Sequence, residues 1–147
     1  MNYFEMKLKA LSVNEGFART TVAAFAASLE PTVEQLNDIK TAVSEAVTNA
    51  IVHGYNNNPD SEVVIKAETD HNSITVEIID YGVGIPDVVE AVKPFYTSRP
   101  NEERSGMGFT IMKSFMDEFD LKSRTGLTSV KMKKNLCYNH QCSNRRA

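Results

Sequence analysis

Hydrophobic spacing switches between Leu8 and Phe17 from every second residue to every third or fourth, which confines the chain to folds that lay helices against a sheet. Phe4, Met6 and Leu8 alternate with Glu5, Lys7 and Lys9, the pattern of a strand with one buried face. From about Asn14 to Leu29 the apolar positions Phe17, Thr21, Ala24, Phe25 and Leu29 recur at helical spacing. Pro31 interrupts. Thr32 with Gln35 three residues on then predicts a capping box that opens a second helix. Its apolar stripe is Leu36, Ile39, Val43, Val47 and Ala50, and it is expected to stop near His53-Gly54.

Asn56 to Asp60 is a loop by composition. Two strands follow, one with Val63, Ile65 and Ala67, the next with Ile74, Val76 and Ile78, turning around Asp70–Asn72. The second ends abruptly at Asp80-Tyr81-Gly82-Val83-Gly84. Pro86 to about Ser105 predicts a short helical stretch and then a polar segment. Gly108 to Phe119 reads as a helix with Phe109, Met112, Phe115 and Met116 inward. Leu121–Ser123 and Leu127–Met132 are expected to close the sheet as a hairpin across Thr125-Gly126. The pattern predicts an α+β chain, a single two-layer α/β sandwich whose mixed, mostly antiparallel sheet carries its helices on one face. A length of 147 residues suits one such domain, taken here as residues 1–136.

Composition narrows the function classes. The net charge is −3, which speaks against a direct nucleic-acid binder or an anionic-membrane binder. No apolar run approaches the ~20 residues of a membrane span, and the N-terminus is unlike a signal peptide, so a cytoplasmic protein is expected. Both cysteines, Cys137 and Cys142, fall in the polar, basic segment Cys137–Ala147, which is read as a disordered tail. His140 between them does not complete the four-ligand set of a structural metal site.

Three motifs carry chemistry. Glu45 and Asn49 are four residues apart, hence neighbours on one helix face, roughly opposite the Leu36–Ala50 stripe. Such a pair is ordinarily a solvated face, but here Ala46, Thr48, Ala50, Ile51 and Val52 surround it. Asp80-x-Gly82-x-Gly84 places a carboxylate at a strand end, able to accept from an amino group, beside glycines that let a ligand approach the main chain. Alone it would be a tight turn. Ser105-Gly106-Met107-Gly108 precedes a helix, where backbone N–H groups suit a phosphate, and Arg99, Arg104 and Lys113 flank it. Neither the P-loop spacing nor a Rossmann turn is present.

In this order, E-x3-N on a helix, D-x-G-x-G after a strand, a polar segment and G-x-G opening a helix, the chain resembles the GHKL superfamily of ATPases and kinases over about Phe4–Leu136. Three runs, Asn14–Arg19, Ser44–Tyr55 and Arg104–Met112, look like the anti-sigma F factor family of spore-forming bacteria. That resemblance implies a Bergerat-type ATP site, Mg²⁺ as cofactor, a homodimer, binding of sporulation sigma factor F, and phosphorylation of a serine on an anti-anti-sigma factor. By position, Glu45 would act as base or orienting group for the attacking hydroxyl, and Asn49 would ligate Mg²⁺ together with the phosphates. Asp80 would read the adenine amine, with Gly82 and Gly84 permitting close packing and Thr128 near the adenine. Gly106 and Gly108 would donate backbone N–H groups to phosphate, with Arg104 near the γ-phosphate, and Arg19 would contact the protein partner. Nothing is carried over to the tail.

Two other classes share parts of this pattern. A sensor histidine kinase would need a dimerising phosphoacceptor hairpin, and only 44 residues precede Glu45, while His53, His71 and His140 lie at a helix end, a turn and the tail. A nucleotide-gated clamp without catalysis would have no need of Glu45. The segment from about Phe95 to Ser105 is expected to act as a lid whose order depends on nucleotide.

Overall fold

A computed structural model describes residues 1–93 and 108–136. Five strands form one sheet in the order β1-β2-β3-β5-β4: β1 (Asn2–Lys9), β2 (Glu62–Thr69), β3 (Ser73–Asp80), β4 (Glu118–Arg124) and β5 (Leu127–Asn135). Helices α1 (Val13–Ala26), α2 (Val33–Asn49), α3 (Val88–Ala91) and α4 (Gly108–Phe115) complete the described chain. Helix α2 lies between α1 and α4, and these three contact β2, β3, β5 and β4 on one side of the sheet. The α+β two-layer arrangement is therefore as expected.

All four neighbouring strand pairs are antiparallel. The expected mixture is corrected: among the described residues the sheet is antiparallel throughout. Two helices separate β1 from β2, so the chain travels out and back and the strands meet antiparallel.

The register aligns inward side chains in rows. Met6, Ile65, Ile78, Val130 and Leu121 form one row, and Phe4, Ala67, Val76, Met132 and Phe119 the next. Ile65, Ile78, Val76 and Met132 are fully or almost fully buried against the helices. On the open face Glu5, Lys66, Glu77, Lys131 and Asp120 alternate in sign across all five strands, so each charge has an opposite neighbour.

Local sequence explains the helix ends. The Thr32 hydroxyl accepts the Gln35 N–H at 3.1 Å, and the Gln35 side chain accepts the Thr32 N–H at 2.9 Å, closing the capping box. Helix α2 does not stop at Asn49 but widens into a π-helical turn over Ala50–Gly54.

Three expectations are corrected. The fully buried stripe of α1 is Ala18, Val22, Ala23 and Ala26; of the expected series, Phe17 is 57% exposed, while Phe25 and Leu29 are partly buried against the core. Small residues suit this face because α1 packs closely on α2, where a phenyl ring would hold the helices apart. Helix α4 ends at Phe115, which is exposed, while Met112 and Met116 are buried. Lys134 explains the stop: its ammonium donates to the Phe115 carbonyl at 2.6 Å and pairs with Asp38 at 3.0 Å. The Asp117 N–H then donates to Lys133 at 2.8 Å, and residues expected in the helix pair instead as β4.

The rotated stripe makes a contrast. Ala18→Leu should cost about 1–3 kcal/mol in urea unfolding through overpacking, whereas Phe17→Ala should stay within about 0.5 kcal/mol. The reverse ranking would restore the Phe17 stripe.

Candidate functional site

The third inward row of the sheet is polar. Asp80 stands opposite Thr128, and Thr128 opposite Ser123, at the end of β3. Asp80 and Thr128 are buried, at 5% and 7% exposure. The D-x-G-x-G residues begin where this row ends, so the sheet delivers a carboxyl and two hydroxyls to one edge of the core.

Glycine brings the end of α2 onto that row. The Gly54 carbonyl accepts the Val83 N–H at 3.0 Å. A β-carbon on Gly82 would lie 1.9 Å from the Gly54 oxygen, and one on Gly54 would lie 2.5 Å from Asp80 Oδ1. Gly82 meets the Gly54 main chain and Gly54 meets the Asp80 carboxyl, with no room for a methyl group at either. On the far side, Gly84 at φ +80° rests on the Arg124 carbonyl, where a β-carbon would stand at 2.1 Å. Tyr55 secures the same junction: its hydroxyl donates to the Glu62 carbonyl at 2.6 Å and accepts the Tyr81 N–H at 2.7 Å.

Asp80 Oδ1 accepts the Gly82 N–H at 3.1 Å. Burial outweighs that bond and pushes the Asp80 carboxyl up to about 6. A buried carboxyl with a spare oxygen is suited to a polar ligand that donates to it.

The E-x3-N pair faces the first residue of α4. A β-carbon on Gly108 would lie 3.1 Å from Asn49 Nδ2, 3.3 Å from Asn49 Oδ1 and 3.3 Å from Glu45 Oε2. Glu45 and Asn49 are half-buried. The structure thus brings Glu45, Asn49 and Gly108 together, and Gly54 links that helix to Asp80 and Gly82, while Thr128 pairs with Asp80 and Gly84 rests on Arg124. Arg104, Gly106 and the expected lid lie outside the described residues, as does the Cys137–Ala147 tail.

Arg19 sits apart from this cleft on α1. Its Nη1 donates to both Glu15 oxygens, at 2.6 and 2.8 Å, and the Ser44 hydroxyl of α2 donates to Glu15 as well. Burial pushes the Glu15 carboxyl up, but the Ser44 and Arg19 contacts more than offset it and hold it below its ordinary value.

Gly54, Ser123, Glu15 and Ser44 were not singled out from sequence. Gly54 reads there as a helix stop; only the register of β3 shows what it stops against. Ser123 and Thr128 are five residues apart across a hairpin, so their pairing follows once the turn at Thr125-Gly126 is fixed. Glu15 and Ser44 come from different helices, and no local spacing joins them.

Residues 9–134 match the family profile of the histidine kinase-like ATPase domain. An anti-sigma F factor of Clostridium beijerinckii is 52% identical over 134 residues, covering 90% of this chain and 94% of that protein. One from a Thermoanaerobacter species is 54% identical over 134 residues, covering 90% and 93%. Among solved structures, the RsbU and RsbW domains of Rv1364c from Mycobacterium tuberculosis superpose with a TM-score of 0.66 at 17% identity, covering 92% of this chain and 32% of that one. That last likeness concerns the fold alone.

The raised Asp80 value fixes a sign. A carboxyl that ionises at about 6 when folded and near 3.8 when unfolded makes the folded state lose stability as pH rises through that window. Asp80→Asn, which keeps an oxygen for the Gly82 N–H, should therefore stabilise the protein by roughly 1–3 kcal/mol above pH 6. The gain should fade as pH drops towards 4. Urea titrations of both proteins at pH 8 and pH 4.5 measure it; a gain equal at both pH values would refute the burial account.

Proposed function

This chain belongs to the anti-sigma F factor family within the histidine kinase-like ATPase domains, and from that premise we propose an ATP-dependent protein serine kinase that also sequesters a sigma factor. Its partners in this reading are sigma factor F, an anti-anti-sigma factor phosphorylated on serine, and a second copy of the chain. Its place of action is the cytoplasm. Among the described residues no helix is long and apolar enough to cross a membrane.

The observation that carries the reading is the meeting of Glu45, Asn49 and Gly108 at the start of α4, with Asp80 and Thr128 across the Gly54 junction. A carboxylate, a side-chain amide and a helix N-terminus form a donor set that suits phosphate oxygens and a hard cation. Among the described residues no group of three His, Cys, Asp or Glu could hold a metal unaided, which fits a cation held largely by phosphates. Asn49 is the residue proposed to hold Mg²⁺, which when bound would neutralise charge on the phosphates.

The remaining roles belong to the chain's own groups. Asp80 accepts from the adenine amine, and Gly82 and Gly84 let the base lie against main chain. Gly108, with Arg104 and Gly106, binds and orients the phosphates. Glu45 holds the serine hydroxyl of the partner in line and takes its proton as the oxygen bonds to the γ-phosphorus and ADP departs. Arg19 presents the rest of its guanidinium to the partner while Glu15 and Ser44 fix its orientation.

Labelled ATP and the anti-anti-sigma protein test the reading. The wild type should transfer label to serine, and Glu45→Gln should slow transfer by about 10²–10⁴-fold with nucleotide affinity kept within a few-fold. Arg19→Glu should weaken sigma-factor binding at unchanged nucleotide affinity. Undiminished transfer by Glu45→Gln, or no transfer by the wild type, would remove the kinase assignment.

A further inference from the structure

Tyr55 occupies a place in the β2–β3 ladder that belongs to main chain. In an antiparallel pair every second set of opposed residues exchanges N–H···O bonds. The Asp70 N–H donates to the Ser73 carbonyl at 2.9 Å at the turn, so the bonded pairs that follow are Glu68–Thr75, Lys66–Glu77 and Val64–Ile79. The next in the series is Glu62–Tyr81. The Tyr55 hydroxyl stands there instead, donating to the Glu62 carbonyl at 2.6 Å and accepting the Tyr81 N–H at 2.7 Å. An N–H and a carbonyl that would meet at about 2.9 Å are held apart by an inserted oxygen atom. Burial pushes the Tyr55 phenol above its ordinary value of 10, with the Tyr81 bond opposing and the Asp80 charge adding, so the hydroxyl keeps the proton it gives to Glu62.

The next amide on the same side of the chain does likewise. Val83 lies two residues beyond Tyr81, and its N–H donates to the Gly54 carbonyl at 3.0 Å. Two consecutive residues at the end of α2 thus take the two amides that a longer β2 would have bonded. The chain leaving β3 is handed from a strand to a helix end, and the Asp80 carboxyl lies at the handover, against Gly54. Without the phenol the Glu62 carbonyl and the Tyr81 N–H can satisfy each other only by closing the ladder, which draws the strand end toward β2 and away from α2.

We propose that Tyr55 is a positioning residue for the nucleotide site: by taking the place of the Glu62–Tyr81 ladder bond, its hydroxyl registers the strand end that carries Asp80 on the helix that carries Glu45 and Asn49. The proposal rests on the reading that one nucleotide reaches both Asp80 and that helix. Tyr55 itself touches no nucleotide; it acts through the placement of Asp80.

Tyr55→Phe keeps the ring and removes only the hydroxyl. Calorimetric titration of the full chain with ADP, and transfer to the anti-anti-sigma protein at varied ATP, read the effect. The ADP Kd and the ATP KM should rise together by about five- to twentyfold. The kcat should stay within about twofold, because Glu45, Asn49 and Gly108 lie on α2 and α4, which the substitution leaves in place. By reciprocity, ADP should slow hydrogen exchange at the wild-type Tyr81 amide by about the same factor, and leave the Ile79 amide in the intact ladder unchanged. A kcat that falls as far as KM rises would mean that the hydroxyl only stiffens the end of α2. A Kd within about twofold of wild type would mean that the bridge does not bear on the site. Either result overturns the proposal and leaves the nucleotide site standing. A wild type that binds no ADP removes the nucleotide reading itself, and the proposal with it. If the wild type binds ADP but transfers no phosphate, the Kd and the exchange rates decide. If Tyr55→Phe does not fold, judged by circular dichroism, the wild-type exchange decides alone: a Tyr81 amide unmoved by ADP, or slowed no more than Ile79, sinks the proposal.

Discussion

The contact between Gly54 and the Asp80–Gly82 segment sets the geometry of everything around the cleft. It joins the end of the central helix to the end of the central strand through main-chain atoms, with the Val83 N–H on the Gly54 carbonyl and no space for a β-carbon on either glycine. A side chain at either position would lever the helix end away from the strand and take the Asp80 carboxyl with it. The π-helical turn over Ala50–Gly54 belongs to the same junction. By widening the last turn it carries the Gly54 carbonyl past the direction an α-helical continuation would give it, a device often found where a helix end serves a site.

The sheet explains why the site lies at one edge of the core rather than within it. Two inward rows are apolar and seal against α1, α2 and α4, and the next row turns polar at Asp80, Thr128 and Ser123. A polar row in the middle would leave donors and acceptors buried without partners. At the end of the strands it can be bonded internally on one side, through Ser123, Leu127 and Ile85, and still offer acceptors on the other. Lys134 shows the same logic at the opposite end of β5. It faces inward, and Asp38 and the Phe115 carbonyl satisfy it, so its charge closes a helix instead of lining a cleft.

How much of this could be read from sequence depends on the range of the interaction concerned. The capping box at Thr32 and Gln35 acts over three residues and was legible, as were the strand periods and the stripe of α2, whose large Ile39, Val43 and Val47 dominate their face. The stripe of α1 was not. Hydrophobicity favours Phe17 as the inward residue, but α1 buries Ala18, Val22, Ala23 and Ala26 in its close packing with α2, and fit of volume overrode apolarity. The overlong reading of α4 has a similar cause: Phe115 and Phe119 sit at helical spacing, yet Phe119 is claimed by its strand partner Met132 and Phe115 by neither. For the site, Glu45, Asn49, Asp80 and the glycines stood out as motifs. Gly54 and Ser123 did not, because each acts on a neighbour that only the fold supplies.

Helix α2 ties the two halves of the molecule's chemistry together. One side of it carries Glu45 and Asn49 to Gly108 of α4, and the adjacent Ser44 reaches across to Glu15, which grips Arg19. Successive residues on a helix point about 100° apart, so Ser44 and Glu45 can serve different clefts only because α2 is flanked on both sides, by α1 and by α4. An edge helix would have had one packed face and one solvated face, and one of these two side chains would have had nothing to hold. The central position that gives the chain its alanine-lined α1–α2 seam is therefore the same position that lets one helix brace a surface arginine and furnish a carboxylate to the cleft.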